Sequence, residues 1–359
     1  MIFDDVLKII NGRNQKAVEN PNGKYPIYGS GGIMGRADDY ICNAETVVIG
    51  RKGNINKPIF VEEPFWNVDT AFGLEANKSV LLPKYLFYFC VHYDFEKHNK
   101  TVTIPSLTKA DLLKIKIDLP SLGEQQDIVK KLQQIETIIF KRKQELDILD
   151  ELIKARFVAM FGDPISNDKG WNTDPLTAVC SRIYGGGTPS KSHPEYFEGS
   201  IPWVSPKDMK SDVITDSIDH ITKEAIANST TNLVQEGSVL MVIRSGILKH
   251  DLPVSINAVP VTINQDMKAF VPGENITASF LRNYFKAIEL DVLAGVRGVT
   301  ADNIDFKAFQ HRKIIVPPIH LQEEFEDFCR QVDKLKVAVQ KSLDETQLLF
   351  NSLMQKYFG

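Results

Sequence analysis

At 359 residues, with 43% hydrophobic and 25% charged residues, the chain has an ordinary globular composition and the length for two or three separately cored domains. No apolar run approaches the ~20 residues of a membrane span, and the acidic start Met1-Ile-Phe-Asp-Asp5 does not read as a signal peptide, so the expected location is cytoplasmic. A net charge of −4 excludes a uniformly basic coat, yet it leaves room for a local basic face offset by acidic helices.

In chain order, residues 1–118 carry short β-type runs broken by Gly, Pro and Asn, such as Thr46-Val-Val-Ile49 and Ile59-Phe-Val61. An amphipathic piece from Leu82 to Tyr93 follows. Residues 119–162 predict a long helix, on the order of 55 Å at ~1.5 Å per residue. Its apolar residues Ile128, Leu132, Ile135, Ile139, Leu146, Leu149, Ile153 and Met160 recur in steps of four and three, the spacing of a coiled-coil seam that Arg142 and Arg156 interrupt. Ser121 and Glu124 stand at capping-box spacing at its start, and Gly162-Asp-Pro164 stops it. Residues 163–316 return to strand-rich sequence, with Ser238–Ile243 and Val259–Ile263 as strands and Ala278–Leu290 as a short amphipathic helix. Residues 317–359 form the second long helix. Its seam is Phe325, Cys329, Val332, Val339, Leu343, Phe350, Leu353 and Tyr357, with Lys336 and Thr346 as interruptions.

The two halves repeat. Pro120–Gly162 lies over Pro317–Gly359 without a gap at a constant offset of 197, matching Gln125 with Gln322, Leu146 with Leu343 and Phe161-Gly162 with Phe358-Gly359. Shorter echoes pair Val47-Val-Ile-Gly-Arg-Lys-Gly53 with Leu240-Met-Val-Ile-Arg-Ser-Gly246, and Asn67-Val-Asp69 with Asn264-Gln-Asp266. The expected fold is α+β: two tandem globular domains, irregular and mainly antiparallel in sheet, separated by two long antiparallel coiled-coil helices in a pseudo-twofold repeat. Two surface helices, each packed on its own domain, is the other arrangement these seams allow.

The loops carry the candidate recognition chemistry. Arg, Lys, Asn, Ser, Thr and Tyr on glycine-supported loops can reach phosphates and base edges. In the first domain these are Arg13, Asn14 and Lys16, then Tyr28 and Ser30 beside Gly29-Ser-Gly-Gly32, then Arg51 and Lys52, then Thr101 and Thr103. In the second they are Tyr184, Thr188, Ser190 and Lys191 around Gly185-Gly-Gly187, then Ser205 and Lys207, then Arg244 and Ser245, then Arg297. The glycine runs are not nucleotide loops, since neither has P-loop or G-x-G-x-x-G spacing. The four cysteines lack C-x-x-C pairing and read as reduced structural thiols, with no metal site. No nucleophile elbow, metalloprotease or deaminase motif occurs, and carboxylate pairs such as Glu62-Glu63 and Glu323-Glu324 read as solvated faces. The chain therefore reads as non-catalytic, with no cofactor of its own.

Several phrases together resemble a known family. Gly187-Thr-Pro-Ser-Lys191 with Pro194-Glu-Tyr-Phe-Glu-Gly199 and Ile201-Pro-Trp-Val-Ser-Pro-Lys-Asp208 resembles the opening of a target recognition domain. Leu119-Pro-Ser-Leu-Gly-Glu-Gln-Gln126 and Val316-Pro-Pro-Ile-His-Leu-Gln322 resemble the starts of spacer helices, and Phe161-Gly-Asp-Pro164 leading to Gly170-Trp171 resembles the junction between repeats. Across essentially its full length the chain resembles the DNA specificity (S) subunit of Type I restriction–modification systems. The first half lacks the Gly-Trp lead that Gly170-Trp171 supplies to the second, and His320-Leu-Gln322 is a looser helix start than Gly123-Glu-Gln125.

The resemblance implies target recognition domains at 1–118 and 163–316, and spacer helices at 119–162 and 317–359. Each domain would read one half of a split, asymmetric double-stranded DNA site, and the helices would set the gap. Methyltransferase (M) subunits, two of them, would dock on the helices and bring S-adenosylmethionine, and motor–endonuclease (R) subunits would complete the complex. A silent or shuffled subunit of the same fold, and a two-headed coiled-coil interaction scaffold without DNA specificity, are the alternatives left open.

Overall fold

The computed structural model describes residues 1–99, 101, 104–296 and 302–359; of the candidate DNA contacts, Thr103 and Arg297 lie outside the described residues. Contacts divide the chain into two compact units, Met1–Gln144 together with Gln340–Gly359, and Glu145–Val339.

In the first unit, helix α1 (Phe3–Val6) leads into strand β1 (Leu7–Asn11), followed by β2 (Tyr25–Gly29), β3 (Gly32–Ala37), β4 (Thr46–Gly50), β5 (Ile59–Val61), β6 (Trp66–Asn67) and β7 (Ala71–Ala76). They make two sheets, an antiparallel β1-β7-β4-β5 and a smaller β3-β2-β6 in which β2 and β6 run parallel. Strand β4 is buried along its whole length, which is why it reads as a continuous apolar run rather than an alternation. Helix α2 (Pro83–His92) buries Tyr85, Leu86, Tyr88 and Phe89 in a core shared with Phe3, Phe72 and Leu74. Then come α3 (Lys109–Leu112), capped by the Thr108 hydroxyl, and the long α4 (Leu122–Phe161).

The second unit opens with β8 (Thr173–Pro175), α5 (Leu176–Val179), β9 (Cys180–Gly185), β10 (Ile201–Val204), β11 (Val213–Ile214), β12 (His220–Ile221) and α6 (Lys223–Ala227). It continues through β13 (Val239–Val242), β14 (Val254–Asn257), β15 (Thr262–Ile263) and β16 (Met267–Pro272), then α7 (Ala278–Ala287), α8 (Glu289–Ala294), α9 (Phe306–Phe309), β17 (Lys313–Ile315) and α10 (Ile319–Phe358). Its sheets are β11-β14-β13-β16-β9, β12-β10-β15 with β10 and β15 parallel, and β17-β8. The strand expected at Val259–Ile263 shrinks to its last two residues. Pro260 has no N–H to give a ladder, and Val261 turns aside to bridge Val234.

Much of each helix seam is buried where the sequence placed it, while Ile128, Leu146, Leu149, Met160, Phe350, Leu353 and Tyr357 are half-buried. In α4, Leu132, Ile135, Ile139 and Ile153 are buried; in α10, Phe325, Cys329, Val332, Val339 and Leu343 are. Within the first unit, Val129 and Leu132 of α4 and Met354 of α10 join one core. Within the second, Phe157 and Phe161 pack on Phe325, with ring centroids 5.6 and 5.5 Å apart. Arg156 bonds Glu324 at 2.8 Å and Lys336 bonds Asp150 at 2.6 Å. Contacts 150–336 and 156–324 run in opposite senses along the chain, so the two helices are antiparallel there. The seam interruptions Arg156 and Lys336 are thus ion-paired across the seam. Lys336 Nζ also reaches Asp212 of the globular part, 3.2 Å away.

Both ends of α4 follow their local chemistry. The Ser121 N–H and hydroxyl donate to Glu124 Oε2 (2.9 and 2.7 Å), and the Glu124 N–H donates back to Ser121 Oγ (3.3 Å), closing the capping box. The Ser121 bonds hold the Glu124 carboxyl below its ordinary range. At the far end Gly162 takes φ +76°, a left-handed cap that a side chain would resist. Lys169 Nζ donates to the carbonyls of Ala159 and Met160, and Trp171 Nε1 to that of Phe161 (2.8 Å), so the junction folds back to satisfy the helix's last carbonyls.

Candidate nucleic-acid interface

Three loops of the first unit are tied to one short segment, Asn67–Thr70, and a fourth joins through one of them. The Arg13 N–H donates to the Asn67 carbonyl (2.8 Å), the Val68 N–H to Tyr28 (3.0 Å), and the Arg51 and Lys52 N–H groups to Thr70 (2.8 and 3.2 Å). The loop ahead of α3 joins through Gly53 N–H to Pro105 (3.0 Å) and Leu107 N–H to Arg51 (2.9 Å). Gly12 is required by contact: a Cβ there would stand 1.7 Å from the Val68 carbonyl oxygen. This web brings Arg13, Tyr28, Ser30, Arg51 and Lys52 to one end of the unit, with the side chains of Arg13, Arg51 and Lys52 exposed.

The second unit builds the same web around Ile263–Asp266. The Gly187 N–H donates to Ile263 (3.0 Å), Asn264 N–H to Val204 (2.9 Å), and Ile243 and Arg244 N–H to Asp266 (2.8 and 3.2 Å). The Ser245 N–H reaches Asp302 (3.1 Å) and the Ile304 N–H reaches Ile243 (2.9 Å). A Cβ on Gly186 would stand 1.6 Å from the Asn264 carbonyl oxygen, as at Gly12. In each unit an indole N–H closes the web at 3.0 Å, Trp66 to the Arg13 carbonyl and Trp203 to the Gly187 carbonyl, although the two tryptophans sit on opposite members of the parallel strand pair.

These bonds correct the residue-by-residue pairing suggested by the sequence. Arg244 stands where Lys52 does, not Arg51, and Asn264 stands where Val68 does, not Asn67. Backbone donors and acceptors define equivalence here, whereas side-chain identity at a loop is free to slip by one residue.

The remaining candidates divide into presenting and supporting groups. Asn14 Oδ1 accepts the Lys16 N–H (2.9 Å), and the Thr101 hydroxyl faces Asn99 Oδ1 (2.9 Å), so both shape their loops. Ser205 is buried; its N–H and hydroxyl each donate to Asp208 Oδ2 at 2.8 Å, building the turn that presents Lys207. Ser190 Oγ lies 2.7 Å from Ser192 Oγ, and the Arg182 guanidinium stacks 4.4 Å from the Tyr184 ring centre. Thr188, Lys191, Ser205 and Lys207 line an open groove of about 580 Å³ floored by Trp203 and Gln265. The Arg244 guanidinium is held by Asp266, Nε to Oδ1 at 2.6 Å, which fixes its direction while leaving N–H groups free to donate. Asp266 was not singled out in the sequence; its signal was its place beside Asn264 in a repeated loop. Burial pushes the Tyr28 hydroxyl above its ordinary value, with Glu63 adding to it, and burial lowers Lys268. Burial also pushes the Cys42 and Cys180 thiols up to about 12 and Cys329 up to about 11, which keeps them protonated and unreactive. Among the described residues, no group of three or more His, Cys, Asp or Glu gathers where a metal ion could be held, and no helix is long and apolar enough to cross a membrane.

The two webs share their backbone bonding and present different side chains. The sequence matches the family described as Type I restriction modification DNA specificity domain over residues 3–148 and 168–346. The chain belongs to this family. It is 32% identical over 278 residues to the specificity subunit of the Type I restriction enzyme EcoR124I/EcoR124II of Escherichia coli, covering 75% of this chain and 67% of that protein. Over 335 residues it is 23% identical to the MjaIX specificity subunit of Methanocaldococcus jannaschii, covering 86% and 74%. The fold is that of the Type I restriction–modification S subunit from M. genitalium, with a TM-score of 0.63 at 16% identity over 100% of this chain and 95% of that one. A chain solved in work on complex assembly of the type I R-M system gives a TM-score of 0.61 at 18% identity, covering 100% and 96%. The function is that of a DNA specificity subunit, and the interaction scaffold without DNA specificity is not favoured.

Proposed function

We propose that each unit of this specificity subunit reads one half of a bipartite double-stranded DNA site through its bonded loop web, and that the target is asymmetric. The observation that carries this is the pair of webs: the same backbone bonds present Arg13, Ser30, Arg51 and Lys52 in one unit, and Thr188, Lys191, Lys207 and Arg244 in the other. A palindrome would call for similar side chains on both. The helices set the gap between half-sites and dock the methyltransferase subunits, which carry S-adenosylmethionine, flip the target adenine and methylate its N6. Motor–endonuclease subunits complete the complex. This chain supplies the address and no catalytic group, and it works in the cytoplasm.

Two methyltransferase copies are favoured by a repeated surface. Ile138, Phe140 and Leu152 of α4 are exposed, and so are Leu335, Val337 and Leu349 of α10, each 197 residues further on. Exposed apolar residues at matched positions suit two equal docking events. The test is single-molecule sequencing of DNA from a host carrying this chain with its methyltransferase. A split, asymmetric motif with N6-methyladenine in both halves, lost on deletion of this chain, is expected. Methylation that persists unchanged without the chain, or a palindromic motif, overturns the reading.

A further inference from the structure

The hairpin β2–β3 holds an arrangement that the basic loops do not explain. Its turn is Ser30-Gly31, closed by the Gly29–Gly32 pair, with Gly32 at φ +118°. Just beyond the turn the register shifts: Tyr28 faces Ile33 and Ile27 faces Gly35, so Met34 is an extra residue, a β-bulge. In a regular strand successive side chains point to opposite faces. The bulge breaks that rule, and Ile33 and Met34 are 66% and 62% exposed side by side. Two adjacent bare apolar residues on a sheet edge invite unwanted pairing, so their retention calls for something that covers them.

Their surroundings say what. The turn packs on the Arg51–Asn54 loop: a Cβ on Gly50 would stand 3.1 Å from Ser30 Cβ, and one on Gly31 would stand 3.8 Å from Asn54 Nδ2. The apolar tip is therefore continuous with the exposed cations of the web. The second unit provides an independent echo. Its register pairs Ile201 with Ile221 and Pro202 with His220, and the Trp203 N–H donates to the Asp219 carbonyl (2.9 Å), so beyond the end of the ladder the chain brings Ile218 alongside Val204. Val204 is the counterpart of Tyr28, so Ile218 holds the place of Ile33, and it is 65% exposed.

We propose that Ile33 with Met34 in the first unit, and Ile218 in the second, are specificity-determining contacts that read the C5-methyl group of thymine in the major groove. A two-stranded ribbon fits that groove, and the methyl is its one apolar mark. A basic rim around an apolar tip suits a partner that is anionic outside and methyl-bearing within. The proposal rests on the DNA-reading function above.

The experiment uses the assembled methyltransferase complex and duplexes of the target sequence, in which thymines other than those paired with the methylated adenines are replaced by uracil, removing only the methyl. For the wild type, uracil in the half-site read by the first unit weakens binding by about four-fold, the order expected for one buried methyl. The Ile33→Ser/Met34→Ser variant binds thymine and uracil duplexes alike, and the conservative Ile33→Val/Met34→Leu variant keeps the preference. Ile218→Ser does the same for the other half-site. Equal binding of both duplexes by the wild type overturns the proposal. So does a preference that survives in the Ser variants, or a half-site with no further thymine. Loss of all salt-dependent binding to the unmodified duplex would instead refute the DNA-reading function itself.

Discussion

Gln125 and Gln322 make the same three hydrogen bonds in the two units. Each is fully buried at the start of a long helix. Gln125 Oε1 accepts the Leu82 N–H (2.9 Å) and its amide donates to the carbonyls of Val80 and Pro120 (2.9 Å each). Gln322 Oε1 accepts the Thr277 N–H (3.0 Å), and its amide donates to Asn275 and Pro317 (3.0 and 2.8 Å). Each glutamine therefore pins the loop before the short helix α2 or α7 to the start of a spacer helix.

Replacing Gln322 by Leu leaves one N–H and two carbonyls without partners in a buried site. The expected loss is about 2–4 kcal/mol, read by chemical or thermal denaturation. Gln322→Glu is expected to be at least as damaging at neutral pH, since a carboxylate oxygen would then face the Asn275 and Pro317 carbonyls. A Leu variant as stable as wild type would show that the bonds position nothing.

Trp171→Phe keeps an aromatic ring but removes the indole N–H donated to Phe161, together with part of the packing on the core. A loss of about 1 kcal/mol is expected. Lys169→Met uncovers the carbonyls of Ala159 and Met160 and is expected to cost about 0.5–1 kcal/mol more. Circular dichroism of the helical signal on heating checks both.

The network of Lys336, Asp150, Asp212 and Arg282 predicts an acid dependence. Burial pushes the Asp212 carboxyl up, but Arg282 and Lys336 more than offset it and hold it below its ordinary value of 3.8. A lowered folded-state value means stabilisation that is present above the unfolded value and lost as pH falls through the folded one. Asp212→Asn should therefore lower the Tm at neutral pH, with the gap to wild type closing below about pH 3.8. A gap that widens in acid would contradict the sign. Lys336→Met, which leaves Asp150 and Asp212 short of a partner at a half-exposed site, is expected to cost about 1–2 kcal/mol.

Lys52 and Arg244 occupy the same place in the two webs. If both meet phosphate, Lys52→Ala and Arg244→Ala each reduce the slope of log K against log salt by about 0.9. An altered base preference with an unchanged slope would make the residue a base reader. No change in slope, methylation rate or site choice would remove it from the interface.

The helix patches predict a stoichiometry. Phe140→Ser and Val337→Ser should each weaken the binding of one methyltransferase copy while the other remains, and the double variant should release both, as read by native mass spectrometry. Full occupancy in the double variant would place docking elsewhere.

The spacer helices were legible because a seam is a long signal: Leu132, Ile139, Val332 and Leu343 repeat a period over many turns, and burial follows it. Phe157 and Phe161 were less so, since near the globular part the buried face widens beyond a heptad stripe to take Phe280 and Phe325. The buried strands β4 and β13 were visible as apolar runs. The parallel pairs β2–β6 and β10–β15 were not, because two paired residues leave no period to read. At the interface, the loops could be named and the segments Asn67-Val-Asp69 and Asn264-Gln-Asp266 noticed as a repeat, but their gathering role and true register lie in backbone bonds that no side chain announces.

From Pro105 against Asp302 to Gly162 against Gly359, the two halves keep one offset, while the loops upstream slip freely against each other. A gene crossover that exchanged everything between Gly12 and Pro105 for everything between Gly186 and Asp302 would hand each helix start its glutamine and each hub its bonds. Inheritance can thus trade a reading head with its hub and helix-start bonds intact, so that what an exchanged block must still match is its packing on the retained Phe3, Leu112 and Leu132.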